Sequence, residues 1–89
     1  MTLRSKFNKG NIIVVYDTQS KSKRVLKVAS VESWDRFNGF SYQFREVGDT
    51  FGIYEKYCDL DFEIQFDIKK IFMDEVDYKR WKKWERFMI

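Results

Sequence analysis

Residues 11–17 read Asn-Ile-Ile-Val-Val-Tyr-Asp, an uninterrupted run of β-favouring side chains between two polar residues. The run is too short for a typical helix, and the pair Lys9-Gly10 separates it from the N-terminus. Because apolar side chains occupy consecutive positions, they must point to both sides of a strand. We therefore predict a strand over residues 11–17 that is buried on both faces, or nearly so.

The pattern continues outward from this strand through a polar loop into a second strand over residues 24–37. The pair Asn38-Gly39 is the strongest hairpin signal, because a type I′ turn needs positive φ at both central positions. Residues 40–46 then alternate aromatic and polar side chains, which predicts a strand with one buried and one solvent-exposed face. A fourth strand is predicted over residues 51–57.

Residues 60–68 fit two structures. Apolar and polar side chains alternate strictly along the segment, which favours a fifth strand. A helix competes, because apolar residues also recur at i+4 spacing, at Leu60, Ile64, Ile68 and Phe72. We predict the strand.

Residues 74–88 predict an amphipathic helix. Asp74 and Glu75 supply the acidic first turn that the helix dipole favours, and apolar residues then recur at helical spacing among lysines and arginines. The whole chain, residues 1–89, is thus expected to form a single, mostly β domain of the α+β class. Its predicted architecture is a small five-stranded antiparallel meander or barrel, SH3-like or OB-like in shape, with a C-terminal helix.

Composition supports a small folded protein. The 89 residues include nine Phe, five Tyr and three Trp, and each aromatic ring buries about 150–250 Å². Cys58 is the one cysteine, so no intrachain disulfide can form. The N-terminal residues do not resemble a signal peptide, and no apolar run approaches the ~20 residues of a membrane span. We expect a soluble, cytoplasmic protein.

Charge is distributed unevenly along the chain, whose formal net charge is +3. Residues 1–28 hold seven basic residues and one acidic, residues 29–68 three basic and nine acidic, and residues 69–89 seven basic and four acidic. Such blocks create surface fields of opposite sign if the fold keeps them apart. If neighbouring strands interleave them, the surface is mixed. The sequence leaves both outcomes open.

The chain lacks the residues on which most catalytic sites depend. It has no histidine, which removes the usual general base near neutral pH and the commonest metal ligand. One cysteine without histidine cannot build a structural zinc site, and the isolated glycines form no phosphate-binding loop. We therefore expect a protein that is not an enzyme and needs no cofactor.

Four carboxylates, Asp59, Asp61, Glu63 and Asp67, would share one side of a strand over residues 60–68. Carboxylates in a row can hold Mg²⁺ or Ca²⁺. They can equally form the solvated face of an amphipathic strand or keep a sheet edge from aggregating. We favour the solvated face, so no metal site is expected.

The predicted hairpin carries a candidate ligand surface. Trp34 and Arg36 lie on its solvent-exposed face. A two-residue turn places Trp34 opposite Gln43 and Glu32 opposite Arg45. A tryptophan between two arginines can stack on a base and pair with its phosphate. The alternative is that the tryptophan covers a barrel seam or packs under the C-terminal helix, with both arginines in ordinary surface pairs.

Two further groups of cations are candidates. Lys21, Lys23 and Arg24 cluster around the first loop, where flexible cations can meet a phosphate. The C-terminal helix is also basic, but Trp81 and Trp84 are three residues apart, so both are expected on the face that docks against the sheet. Contact of this helix with nucleic acid, with a membrane surface or with a partner groove is the alternative.

These observations predict a non-enzymatic binding protein for an anionic, phosphate-bearing ligand, either a nucleic acid or a nucleotide that it sequesters. The alternative is a small phage-type protein–protein inhibitor or adaptor that acts on a host protein. A homo-oligomer in which acidic and basic blocks meet is a further possible assembly. No contact with a membrane is expected. The predicted binding residues are Trp34, Arg36, Arg45, Lys21, Lys23 and Arg24.

Overall fold

The computed structural model describes residues 4–35, 39–49 and 52–87. These residues form β1 (Ile12–Asp17), β2 (Ser22–Asp35), β3 (Gly39–Glu46), β4 (Tyr54–Cys58), α1 (Asp59–Gln65), β5 (Phe66–Phe72) and α2 (Glu75–Phe87). The strands form one sheet in the order β4-β3-β2-β1-β5, and every neighbouring pair is antiparallel. The predicted five-stranded antiparallel architecture with a C-terminal helix is confirmed. Residues 36 and 37 of the predicted second strand, residue 51 of the predicted fourth strand and residue 88 of the predicted helix lie outside the described residues.

Strand β1 is buried on both faces, as predicted. Ile13 and Val15 belong to an inner core, and Ile12 and Val14 to a second core on the opposite face, which we call the α2 core. None of these four side chains is more than 2% exposed. The two faces of the sheet are called inner and outer below, and α2 packs on the outer face.

The inner core consists largely of aromatic side chains and is covered by α1. Phe62 of α1 stacks on Phe44 with ring centroids 4.9 Å apart, and Phe7 meets both rings edge-on. The Tyr57 ring of β4 lies 5.2 Å from the Phe66 ring of β5, although these strands are the two edges of the sheet. In a flat sheet the edges would be about 19 Å apart, because strands are spaced by about 4.8 Å. The sheet is therefore strongly curled.

The α2 core confirms the predicted C-terminal helix and corrects one detail of it. Tyr78 and Trp81 of α2 pack on Phe72 of β5, with centroids 5.6 and 5.3 Å from its ring. Trp84, however, is 65% exposed. The expectation that both helix tryptophans dock was right for Trp81 and wrong for Trp84, because Tyr78 occupies the second docking position.

The predicted strand over residues 60–68 was wrong, because α1 takes up residues Asp59–Gln65 and β5 begins only at Phe66. The helix forms because this segment must connect β4 and β5, the two edge strands that the curl of the sheet brings close together. Seven helical residues advance about 10 Å, whereas seven extended residues advance about 23 Å. The helix buries Phe62 rather than the predicted i+4 stripe, since Leu60 and Ile64 are exposed.

The predicted hairpin register was also wrong. Gly39 is the first residue of β3 and pairs with Asp35, so it is not a central turn residue. Gln43 pairs with Ser30, and Arg45 pairs with Lys27. The pairing already differs from the prediction by three residues where it starts, at Asp35 and Gly39. Two irregularities in β2, between Val28 and Ser30 and between Glu32 and Asp35, then add one residue each to that strand.

Gly39 is required by a contact with α1. Its φ is +79°, and a Cβ atom there would clash with Oδ2 of Asp59. The same Oδ2 accepts a hydrogen bond from the Phe40 N–H at 2.9 Å. Two causes raise the pKa of Tyr42 to about 12: burial is the larger, and the neighbouring Asp59 carboxylate is the second. Asp59 therefore joins the start of β3 to the start of α1.

No helix in the described ranges is long and apolar enough to cross a membrane.

The Gly39→Ala substitution is expected to destabilise the fold by more than the matched Gly48→Ala substitution. Both residues have positive φ, which costs about 1–2 kcal/mol for a residue with a side chain. Only Gly39 adds the clash with Asp59, which costs about 1–3 kcal/mol more, because a Cβ atom at Gly48 would have no atom within 4 Å of it. Urea unfolding of both variants measures the difference. Equal losses of unfolding free energy would show that the Asp59 contact is unimportant.

Candidate anion-binding groove

A row of side chains crosses the outer face where β2, β3 and β4 lie side by side. Lys27 of β2 pairs with Arg45 of β3, which in turn pairs with Tyr54 of β4. Directly opposite residues on adjacent strands share one face of a sheet. These three side chains line an open groove of about 510 Å³ together with Lys9, Gly10, Val28 and Ala29.

Backbone hydrogen bonds hold the loop that carries Lys9 against β2. The Gly10 N–H donates to the Val28 carbonyl at 2.9 Å, and the Val28 N–H donates to the Asn11 carbonyl at 2.9 Å. The Asn11 side chain accepts from the Asn8 N–H and donates to the Met73 carbonyl. Lys9 is consequently held beside the irregularity at Ala29, at one end of the groove.

The groove is electropositive. Among the described residues that line it, three are cationic and none is acidic. Arg45 is exposed and donates to the Asp49 backbone carbonyl, a neutral acceptor, at 3.1 Å. Lys27 lies 3.5 Å from Glu75 in a half-exposed pair, which solvent weakens.

A second depression of about 340 Å³ adjoins this groove and shares Lys27 and Arg45 with it. Its other lining residues include Glu46, Asp49 and Glu75, so its three carboxylates outnumber its two cations. An anion therefore favours the groove between Lys9 and Tyr54. This arrangement offers point charges, a guanidinium fork and an exposed ring, which together suit a phosphate linked to a flat aromatic group.

Arg45 is the predicted binding residue that the structure places in the groove. Lys21 is in the turn between β1 and β2, and Lys23 lies in β2 on the outer face, with Nζ 5.7 Å from the Trp81 ring. Arg36 and the side chain of Trp34 lie outside the described residues. The predicted cluster does not form, because Lys23 already belongs to β2 and Lys23 and Arg24, as adjacent strand residues, point to opposite faces.

Arg24 lies on the inner face and is occupied by three carboxylates. Its guanidinium contacts Asp17 at 3.4 Å, Glu46 at 3.4 Å and Glu55 at a shorter distance still. The five N–H donors of the guanidinium match the five contacts made with these groups. Burial alone lowers the pKa of Arg24, but hydrogen bonds to Glu55 and Glu46 outweigh it and raise the pKa. Arg24 thus holds β1, β3 and β4 together.

Asp17 completes this cluster at the end of β1. Burial alone raises its pKa, but N–H donation from Ser20 and Gln19 outweighs burial and holds the pKa below its usual value. Asp17 therefore remains a carboxylate beside Arg24 at neutral pH.

The four predicted carboxylates do not form a row. Asp59 and Glu63 are in α1, where Glu63 pairs with Lys6 at 3.0 Å, and Asp67 is in β5. Among the residues that the structure describes, no group of three or more Cys, Asp or Glu side chains is placed to hold a metal ion. Asp61 is also in α1, and Asp59 and Glu63 make local contacts there, with the Phe40 N–H and with Lys6.

Sequence reasoning missed Lys9, Lys27 and Tyr54. The Lys9-Gly10 pair carried a usable signal, since a cation beside a glycine that precedes a buried strand is held near that strand. Lys27 and Tyr54 carried none, because their positions opposite Arg45 depend on the β2–β3 and β3–β4 registers.

The Arg24→Met substitution is expected to destabilise the fold by about 3 kcal/mol at about pH 7, because it leaves partly buried carboxylates without their cation. The loss should shrink at about pH 5, because carboxylates that have lost their cation are protonated more easily. In the wild type, by contrast, the lowered pKa of Asp17 stabilises the folded state at pH values above the unfolded-state pKa of about 3.9. This stabilisation is lost only as the pH falls below that value.

Urea unfolding at both pH values measures the effect, with Arg45→Met as the matched control. Arg45 is exposed, so its replacement should change the unfolding free energy by less than about 0.5 kcal/mol. An Arg24→Met variant as stable as the control would contradict a structural role for the cluster.

Known proteins were compared with this chain at the level of family models, of curated sequences and of solved structures. None of the three comparisons found a match. The chemistry of the groove itself therefore carries the functional conclusion.

Proposed function

We propose that this protein is a non-enzymatic binding protein for a phosphate-bearing anion, a nucleic acid or a nucleotide, which it holds in the groove between Lys9 and Tyr54. One observation carries the proposal. The described lining of the groove combines three cations with an exposed aromatic ring and contains no carboxylate. A cytoplasmic location, where nucleic acids and nucleotides are abundant, is part of the same proposal.

Each cation suits a different part of a phosphate ligand. Arg45 presents a planar fork that can donate two parallel hydrogen bonds to phosphate oxygens. Lys27, directly opposite Arg45, and Lys9, on the loop held against β2, add mobile point charges. The Tyr54 ring is 55% exposed, on the row that contains Arg45, and gives a base a surface on which to stack.

Binding without catalysis follows from the residues that the chain offers. The sequence has no histidine, and the groove is lined by lysine and arginine, whose high pKa values make them poor general bases at neutral pH. These side chains can hold and orient a phosphate, which is what a binding protein or a sequestering protein requires.

A second candidate is a protein–protein inhibitor or adaptor, and α1 favours it. Leu60 and Ile64 are one helical turn apart and are 48% and 71% exposed. Ile71, Met73 and Val76 are also exposed near the end of β5 and the start of α2. Exposed apolar side chains of this kind act as anchors in protein interfaces.

The first candidate is tested by titrating the protein with labelled single-stranded and double-stranded oligonucleotides and with a nucleotide panel at two salt concentrations. We expect binding that weakens with salt, and a salt dependence whose logarithmic slope falls by about 1 in each of Lys9→Ala and Arg45→Ala. Lys6→Ala is the matched control, because Lys6 is paired with Glu63 of α1.

Absence of binding at both salt concentrations would overturn the proposal, as would binding that ignores salt or that Lys6→Ala weakens as much as Arg45→Ala. Capture of one specific protein from a lysate, lost in Ile64→Ala and accompanied by no nucleotide, would support the inhibitor or adaptor instead.

A further inference from the structure

A second group of cations and rings lies on the outer face, around Trp81 of α2. Nζ of Lys70 in β5 is 5.2 Å from the Trp81 ring centroid, and Nζ of Lys23 in β2 is 5.7 Å from it. The two lysines thus reach the same indole from different strands. An ammonium group near the face of an indole is attracted by the ring quadrupole and held in place.

These lysines have no carboxylate partner among the described residues. Within the described part of the chain, neither Lys23 nor Lys70 has a carboxylate at ion-pair distance, whereas Lys27 has Glu75. One helical turn beyond Trp81, the Trp84 side chain is 65% exposed. Lys82 and Lys83, which separate the two tryptophans, are exposed as well. The surface therefore combines uncompensated cations with a ring open to solvent.

This surface and the groove lie at two ends of one stretch of β2. The register of β2 with β1 is unbroken from Ser22 to Lys27, so Lys23 and Lys27 point to the same face. Four strand residues separate their Cα atoms by about 13 Å. Helix α2 follows this stretch, since Glu75 meets Lys27 and Trp81 meets Lys23. One phosphate cannot contact both ends, but successive phosphates of a chain can.

We propose that the ligand is a single-stranded nucleic acid that runs along α2. One of its phosphates lies in the groove at Lys27 and Arg45, another lies near Lys23 and Lys70, and an unpaired base stacks on Trp84. A single strand is required because the bases of a duplex are stacked on each other and offer no free face to an indole. This inference rests on the proposed function, since the groove supplies its first phosphate contact.

The test uses a labelled thymidine homopolymer of about 15 nucleotides, a duplex of the same length and thymidine monophosphate as ligands. We expect the homopolymer to bind at least about tenfold more tightly than either of the others. Trp84→Ala should weaken homopolymer binding by about tenfold and leave monophosphate binding unchanged. The double substitution Lys23→Ala and Lys70→Ala should reduce the logarithmic salt slope by about 1.4.

Two controls separate binding from folding. Ile64→Ala removes an apolar side chain that is 71% exposed on α1, and Lys6→Ala removes a cation that is paired with Glu63 there. Both should bind the homopolymer as the wild type does. Thermal unfolding of Trp84→Ala should match the wild type, because that indole lies outside the α2 core.

Equal affinity for the monophosphate and the homopolymer, unaffected by Trp84→Ala, would overturn this inference and leave the proposed function standing. Tighter binding of the duplex would overturn the choice of a single strand. Failure of all three ligands to bind would remove the inference and the proposed function together.

Discussion

The fold depends on the requirement that both faces of β1 be covered. Ile13 and Val15 need a partner on one face, and Ile12 and Val14 need one on the other. The curled sheet with α1 covers the first pair, and α2 covers the second. Since α2 packs over β1, β5 and the neighbouring part of β2, the outer face beyond it, at Arg45 of β3 and Tyr54 of β4, stays exposed. The groove occupies this uncovered part, so the candidate site follows from the way the core is closed.

The fold interleaves part of the charge that the sequence places in blocks, because Arg24 of the basic first block pairs with Glu46 and Glu55 of the acidic middle block. The acidic middle block turns Glu46 and Glu55 inward to Arg24, where the guanidinium ties three strands together. The basic blocks at either end of the chain contribute Lys9 and Lys70 to the outer face instead. The cluster thereby compensates the charge of Arg24, while Glu46 and Glu55 remain partly exposed.

Some of this could be predicted from the sequence, and the reason is local. Residues 11–17 are apolar at every position from 12 to 15, and residues 74–88 carry helical periodicity, so β1 and α2 follow from short-range pattern alone. The structure of α1 does not, because residues 60–68 alternate like a strand and the helix forms to bridge two edges of a curled sheet. Tertiary geometry overrides local pattern there.

The candidate site could be predicted less well than the fold, because it depends on register. The sequence points to Arg45 but not to its neighbours, since each irregularity in β2 shifts the pairing partner by one residue. A slip of a single residue sends a strand's side chains to the opposite face. With the regular two-residue hairpin, Arg45 would lie opposite Glu32, beside an acid; with the observed register it lies opposite Lys27, beside a cation. This change of partner spans five residues of β2, three from the start of the pairing at Asp35 and Gly39 and one from each irregularity. The altered register thus replaces a neutral cross-strand pair with an electropositive row.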